Sequence, residues 1–379
     1  MENFYYEQPV PIDFGVGKIK ELPSILEKFK AQNILLISAP SMVRNGMAQK
    51  IMDAAKGKIK AIFSDIQPNP TVQNTDQCVK VLREHNCDFA VALGGGSILD
   101  CAKVACFVAS TTNMTEVYFT KQQLISQKGI PFIAIPTTSG TASEITNVSV
   151  LTDTVHDIKA PLASDFLYPI YALIDPTLTV SCPQKVTASS GLDVIAHSLE
   201  AFYGKKHQPY TDMAAEYAAK LAFENLLIAY HEPDNLEART KMSLASVTAG
   251  MAFNLTQTAA AHACSYPLTQ NFGVPHGEAC ALTLPIFWIL NSTGPEGKRL
   301  EEFSRRLGFE DAKDLANRID EMKKEMRMRM TIEEAGVTTS EDLELLVANS
   351  FAPNMKNNPV EITPDLLEKL YKSISSIHS

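Results

Sequence analysis

The chain contains no run of about 18 uncharged apolar residues, the length a membrane-spanning helix needs. Its N-terminus, MENFYYEQPV, lacks the basic-then-apolar order of a targeting segment. Neither a membrane nor an export route is therefore expected, and a cytoplasmic setting is the default. Positive charge is also in short supply. With 34 Lys and Arg against 43 Asp and Glu, the net charge is −9, which argues against nucleic acid or an anionic bilayer as the main partner. A local anion seat stays compatible with that charge, because helix N-termini and backbone amides bind phosphate unaided. Paired cysteines are missing as well. Cys78, Cys87, Cys101, Cys106, Cys182, Cys264 and Cys280 are odd in number and show no CxxC spacing. They read as reduced, mainly structural thiols in a reducing compartment. Internal repeats and low-complexity segments are absent. Histidine is scarce, eight in 379 residues, so three of them near one carboxylate would be informative.

What is present is an ordinary globular composition, 45% apolar and 20% charged, in a chain long enough for two domains. Up to about residue 175, short apolar runs alternate with segments of helical spacing. Residues 33–38, 59–66, 88–93 and 131–135 read as buried strands, and 41–56, 72–84 and 97–109 as helices. Several strand-like runs follow in 146–175. This alternation predicts a mainly parallel sheet covered by helices. Beyond residue 180 the spacing is helical throughout, over 192–202, 213–229, 236–255 and 278–290. The expectation is an α/β domain over 1–179 and an all-helical domain over 180–379. The charged run 321–329 reads as a solvated helix face.

Two turns stand out in the first half. Gly94-Gly95-Gly96-Ser97-Ile98-Leu99-Asp100-Cys101-Ala102-Lys103 joins a buried strand to a helix. Glycines open backbone conformations closed to other residues and admit a ligand to the amides, at the positive end of the following helix. That is a pyrophosphate seat, although a tight strand-to-helix turn without a ligand would use the same glycines. Pro136-Thr137-Thr138-Ser139-Gly140-Thr141-Ala142-Ser143-Glu144 also follows a buried strand. Its hydroxyls suit ribose, phosphate and amide contacts, or simply cap a helix. Ligands of parallel sheets bind at the carboxyl ends of the strands, where both turns would lie.

In the second half, Asp193 and His197 stand four residues apart in Gly191-Leu192-Asp193-Val194-Ile195-Ala196-His197-Ser198-Leu199-Glu200-Ala201-Phe202. That spacing puts both side chains on one helix face. Glu200, a further turn along, is placed to accept a hydrogen bond from a ligand. His262 sits in a run of small residues, and His276 in the rigid turn Gly273-Val274-Pro275-His276-Gly277. One carboxylate and three imidazoles suit Fe²⁺ or Zn²⁺ better than Mg²⁺ or Ca²⁺. His85, His156, His207, His231 and His378 lack such settings and read as structural.

The motifs GGGSILDCAK, PTTSGTASEIT, GLDVIAHSLEAF and the His262-to-His276 segment ending in PHG resemble, in order and spacing, the iron-containing (group III) alcohol dehydrogenases. The resemblance runs nearly the whole length of the chain. It implies a Rossmann-like parallel-sheet domain and a C-terminal helical domain, the fold shared with dehydroquinate synthase, with the metal in the cleft between them. It also implies a homodimer or larger assembly. The metal positions carry over to Asp193, His197, His262 and His276. The cofactor positions carry over to Gly94, Gly95, Gly96, Ser97, Thr137, Thr138, Ser143 and Lys159, and Asp100 is grouped with them. The implied activity is metal-dependent, NAD- or NADP-dependent hydride transfer between a nicotinamide and a small aldehyde or alcohol.

Two positions depart from the family pattern. Many members carry an acidic residue after the first strand, where it bonds the adenosine ribose and repels a 2′-phosphate. Here Ala39 holds that place, between Ser38 and Ser41 with Arg44 nearby, so NADP is not repelled and these residues are candidates to receive its phosphate. Many members also carry a histidine where Tyr266 stands. Its phenol is placed either to relay a proton or stack on the nicotinamide, or to pack as wall. The segment AHACSYPLTQNFGVPHG, with Lys356-Asn357-Asn358-Pro359, is most similar to the phosphonoacetaldehyde reductase (hydroxyethylphosphonate dehydrogenase) branch. The competing enzyme class is a dehydroquinate-synthase-like lyase, which also uses metal and nucleotide.

Overall fold

The runs Ile34–Ser38, Phe89–Gly94 and Phe132–Pro136 are buried at every position. Strands apolar on both faces belong inside a parallel sheet with a layer on each side, and the computed structural model, which describes residues 3–156 and 158–375, has that arrangement. The strands are β1 Ile12–Phe14, β2 Ile34–Ser38, β3 Ile59–Phe63, β4 Phe89–Gly94, β5 Phe132–Pro136, the pair β6 Val148–Asp153 and β7 Ile158–Ala163, and β8 Tyr171–Ile174. Among the described residues, β1, β8, β5, β4, β2 and β3 pair in that spatial order, all parallel. One apolar cluster, including Leu35, Val79, Leu99 and Phe107, covers one face. A second, including Leu22, Leu36, Phe89 and Ile135, covers the other. Strands β6 and β7 form a separate antiparallel hairpin.

Strand β2 lies between β3 and β4, so the chain leaves it first to one side and then to the other. The carboxyl ends of β2 and β4 are adjacent there, with Ser38 opposite Leu93 and the Ala39 amide donating to the Leu93 carbonyl at 2.9 Å. That reversal is the position at which open parallel sheets bind ligands.

The described residues fall into two compact units, those within 7–181 and those within 182–379 together with the described part of 1–6. The second is helical. Its long helices are Gln184–Tyr203, Pro209–His231, Leu236–Thr256, Ala260–Phe272 and His276–Ser292. They share a core with Leu192, Ile195, Leu199, Phe202, Trp288 and Phe303. No helix among the described residues is long and apolar enough to cross a membrane.

Local differences from the sequence reading have identifiable causes. The segment 41–56 is two helices, Pro40–Arg44 and Met47–Ala54, broken where Gly46 turns left-handed at φ +81°. The helix bearing Asp193 starts eight residues earlier than residue 192, at Gln184. Gly191 lies inside it because a Cβ there would come within 2.1 Å of Leu226 Cδ1. The run 321–329 is not a solvated face throughout. Its helix stops at Glu325, Met322, Lys323 and Met326 are buried, and Arg329 pairs with Glu278 at 2.9 Å.

Candidate metal centre and nucleotide seat

In the helical unit, three elements deliver the predicted donors. Asp193 and His197 come from the helix Gln184–Tyr203, His262 from Ala260–Phe272, and His276 from the first position of His276–Ser292. Gly277 lets the first and last of these approach, since a Cβ on it would lie 2.0 Å from the Ser189 carbonyl oxygen and 2.8 Å from Asp193 Cβ. The result is convergence on one oxygen. Asp193 Oδ1 lies 3.4 Å from His262 Nε2, 3.9 Å from His276 Nε2 and 3.9 Å from His197 Nδ1. The His197 ring stacks on Phe253 at 4.0 Å.

Asp193 Oδ1 and His262 Nε2 are buried, and neither meets a hydrogen-bond partner among the described residues. Buried polar atoms left in that state are costly, and a cation between them removes the cost. The donor set therefore fits a divalent metal. Burial alone would push the Asp193 carboxyl up, but the imidazoles of His197, His276 and His262 hold it well below the usual carboxylate range. Asp193, His197 and His262 are buried, whereas the His276 side chain keeps 32% of its surface exposed, so the centre is open on that side.

Glu200 fixes the orientation of His262. Its buried carboxylate accepts the amides of Ala259, Ala261 and His262 at 2.9, 2.7 and 3.2 Å, so it caps the incoming helix. It also bonds His262 Nδ1, which leaves Nε2 to face Asp193. A ligating imidazole held through its other nitrogen by a carboxylate is a common device at metal sites. The Tyr266 ring lies parallel to that of His276, centroids 6.4 Å apart. Burial pushes its phenol above the usual range.

One residue at this centre escaped the sequence reading. Cys280, taken as a structural thiol, lies one helical turn beyond His276 with Sγ 4.0 Å from His276 Nε2. Among the described residues, the four donors whose ligating atoms lie mutually within 4.8 Å are Asp193, His262, His276 and Cys280. His197 falls outside that set. The i, i+4 spacing from His276 was the available signal. The other histidines have local roles: His156, His207 and His231 face Asp153, Asp212 and Glu325, and His85 ends a helix. His378 lies outside the described residues.

In the sheet unit, β4 runs through Gly95 into the helix Gly96–Ala109, whose first amides face the end of the sheet. The glycines are not there for positive φ, contrary to the sequence reading, because none of the three is left-handed. The requirement is space. A Cβ would come within 2.4 Å of Ile98 at Gly94, 3.1 Å of Thr138 at Gly95 and 2.8 Å of Thr141 at Gly96. Thr137 and Thr138 are thereby brought against the glycine turn, and the Thr137 amide donates to the Gly94 carbonyl at 3.0 Å. Ser97 and Lys159 join the same place through Asn69. The Asn69 amide donates to Ser97 Oγ at 3.3 Å, and Lys159 Nζ donates to Asn69 Oδ1 at 2.9 Å. Asn69, left-handed at φ +58° between two prolines, was not anticipated.

Asp100 and Ser143 are turned elsewhere. Ser143 Oγ donates to Asp100 Oδ1 at 2.6 Å, the Val150 amide donates to Asp100 Oδ2 at 2.9 Å, and Lys103 Nζ donates to Ser143 Oγ at 2.7 Å. This buried network anchors β6. Ser38 is fully buried and Ser41 exposed, with Ala39 between them starting the short helix Pro40–Arg44.

Comparison with known proteins agrees with this geometry. Residues 9–176 match the family model described as iron-containing alcohol dehydrogenase, and 187–375 match the C-terminal model of the Fe-containing alcohol dehydrogenase family. The structure of a sulfoacetaldehyde reductase from Bifidobacterium kashiwanohense in complex with NAD⁺ superposes with a TM-score of 0.96 at 43% identity, covering 99% of this chain and 100% of that one. Alcohol dehydrogenase 4 of Schizosaccharomyces pombe is 30% identical over 95% of this chain and 86% of its own length. A sulfoacetaldehyde reductase of Bilophila wadsworthia is 33% identical over 72% of this chain and 70% of its own length.

Proposed function

The chain belongs to the iron-containing alcohol dehydrogenase family, and we propose that it interconverts a small aldehyde and its alcohol using NAD(H) or NADP(H) and one divalent metal ion. The observation that carries this reading is the convergence of His262, His276 and His197 on Asp193 Oδ1, a buried atom with no hydrogen-bond partner among the described residues. When bound, the metal supplies Lewis acidity toward a substrate oxygen and the nicotinamide supplies the hydride. The protein's own residues do the rest. Asp193, His197, His262 and His276 hold the ion, Fe²⁺ or Zn²⁺, and Glu200 keeps His262 Nε2 turned toward it. The half-exposed His276 side leaves room for a substrate. Tyr266 is the proton relay, its ring parallel to that of His276.

Within the expected domains 1–179 and 180–379, nucleotide binding belongs to the unit 7–181 and metal binding to the helical unit. Gly94, Gly95, Gly96, Ser97, Thr137, Thr138 and Lys159 form the phosphate and ribose seat, supported by their assembly at the end of the parallel sheet. Asp100 and Ser143 brace that seat through the β6 network. Ala39, without a carboxylate, admits NADP beside NAD. The seven free thiols support a cytoplasmic site of action, and a homodimer or larger assembly belongs to the same reading. Both halves match the alcohol dehydrogenase family, which does not favour a dehydroquinate-synthase-like lyase.

Among aldehydes, a two-carbon compound with a tetrahedral anionic head is favoured. Two relatives are named sulfoacetaldehyde reductases, and phosphonoacetaldehyde has the same shape with a phosphonate head. The test is a panel of acetaldehyde, propanal, sulfoacetaldehyde and phosphonoacetaldehyde with NADH and NADPH after anaerobic Fe²⁺ loading. Nucleotide oxidation fastest with an anionic aldehyde supports the proposal, and none with any aldehyde overturns it. Tyr266→Phe is expected to lower kcat by about 100-fold, the low end for a lost general acid, with metal content unchanged. Full activity in that variant makes the phenol a wall residue.

A further inference from the structure

We propose that Cys280 is a further metal donor in this chain, its sulfur bound as thiolate beside Asp193, His262 and His276. The inference rests on the metal-centre reading above and goes beyond it by adding a soft donor, which favours a thiophilic divalent cation such as Zn²⁺ over Fe²⁺. Three observations carry it. The ligating atoms of these four residues lie mutually within 4.8 Å. Asp193 Oδ1 and His262 Nε2, on residues at least 97% buried, face this cluster without hydrogen-bond partners among the described residues. Cys280 is itself fully buried on the helix that opens with His276, and the i, i+4 spacing puts both side chains on one face.

The separations suit the chemistry. Zinc–nitrogen and zinc–oxygen bonds of about 2.0–2.2 Å and a zinc–sulfur bond of about 2.3 Å would place neighbouring donors of a four- or five-coordinate ion roughly 3.0–3.6 Å apart. Here Asp193 Oδ1 to His262 Nε2 is 3.4 Å, Asp193 Oδ1 to His276 Nε2 is 3.9 Å, and Cys280 Sγ to His276 Nε2 is 4.0 Å. All separations in the set lie within 4.8 Å, so side-chain shifts of about an ångström or less close it around an ion. The thiol proton leaves to solvent as the metal–sulfur bond forms, with no change of oxidation state.

The experiment strips the purified full-length chain of metal and reloads it anaerobically with Co²⁺. A cobalt–thiolate bond produces an intense sulfur-to-metal charge-transfer band in the near ultraviolet, whereas oxygen and nitrogen donors give only weaker visible d–d bands. The expected result is both sets of bands in the wild type, with the charge-transfer band lost and the d–d bands retained in Cys280→Ser and Cys280→Ala. Competition between Zn²⁺ and Fe²⁺ for the stripped protein should shift toward Fe²⁺ in both variants by tenfold or more. Visible bands without a charge-transfer band in the wild type overturn the role of Cys280 while leaving the metal centre standing. Persistence of the band in either variant overturns it too. Absence of all cobalt bands in the wild type overturns the metal centre and, with it, the role of Cys280.

Discussion

At Glu200 one carboxylate accepts three backbone amides at the start of another helix and engages one imidazole on it. Glu200→Gln keeps the volume but turns an amide group toward donors. It is expected to lower metal affinity by about 10–100-fold, read by chelator competition, with unchanged affinity showing that packing alone orients His262. Ala39 poses a different question, because it begins the helix Pro40–Arg44 without any side-chain cap. Ala39→Asp adds a cap worth about 1 kcal/mol and a charge that repels a 2′-phosphate. The melting temperature should rise while the ratio of kcat/KM for NADPH to that for NADH falls by tenfold or more. A rise in stability with an unchanged ratio would place the phosphate away from residue 39. Asp193 and His197 were legible because their relation lies within one helix. Cys280 has the same i, i+4 relation to His276, but a lone thiol in an apolar stretch reads as packing. Asn69 was not legible, because Ser97 and Lys159 are brought to it by tertiary packing.

Helices show the same limit on a larger scale. Strands β2, β4 and β5 were legible because continuous apolar runs between turn residues have few other fates. The helix Ala260–Phe272 was read only as a run of small residues around His262. It is buried on most sides, so it has no apolar stripe, and it carries Pro267 in its interior. The approach of the helices bearing Asp193 and His276 depends on Gly277, and this gives an element-level test. Gly277→Ala puts a Cβ 2.0 Å from the Ser189 carbonyl oxygen and should cost about 1–3 kcal/mol through overpacking, with loss of bound metal as the helices part. Gly273, just before, has φ +66° and open space around it. Gly273→Ala should cost about 1 kcal/mol through backbone strain and leave metal content intact. Equal metal content in the two variants would mean that helix separation does not set the site.

The chain as a whole has separate cores in its two units, one around the sheet faces and one among the helices. Stability is therefore best read one unit at a time, since multidomain unfolding need not be two-state. The sequence provides a reporter for this. Trp288 is the only tryptophan, fully buried on the helix that also carries His276 and Cys280. Metal that binds the folded helical unit and not the unfolded chain stabilises that unit, by about 2.7 kcal/mol when free metal stands at 100 times its Kd. Urea titration followed by Trp288 fluorescence should show a midpoint raised by metal and lowered by a chelator. In Asp193→Asn that increment should vanish. In Gly96→Val, where the added Cβ lies 2.8 Å from Thr141 in the sheet unit, nucleotide binding should fail while the metal increment survives. An increment retained in full in Asp193→Asn would show that the carboxylate charge facing His262 and His276 does not hold the stabilising ion.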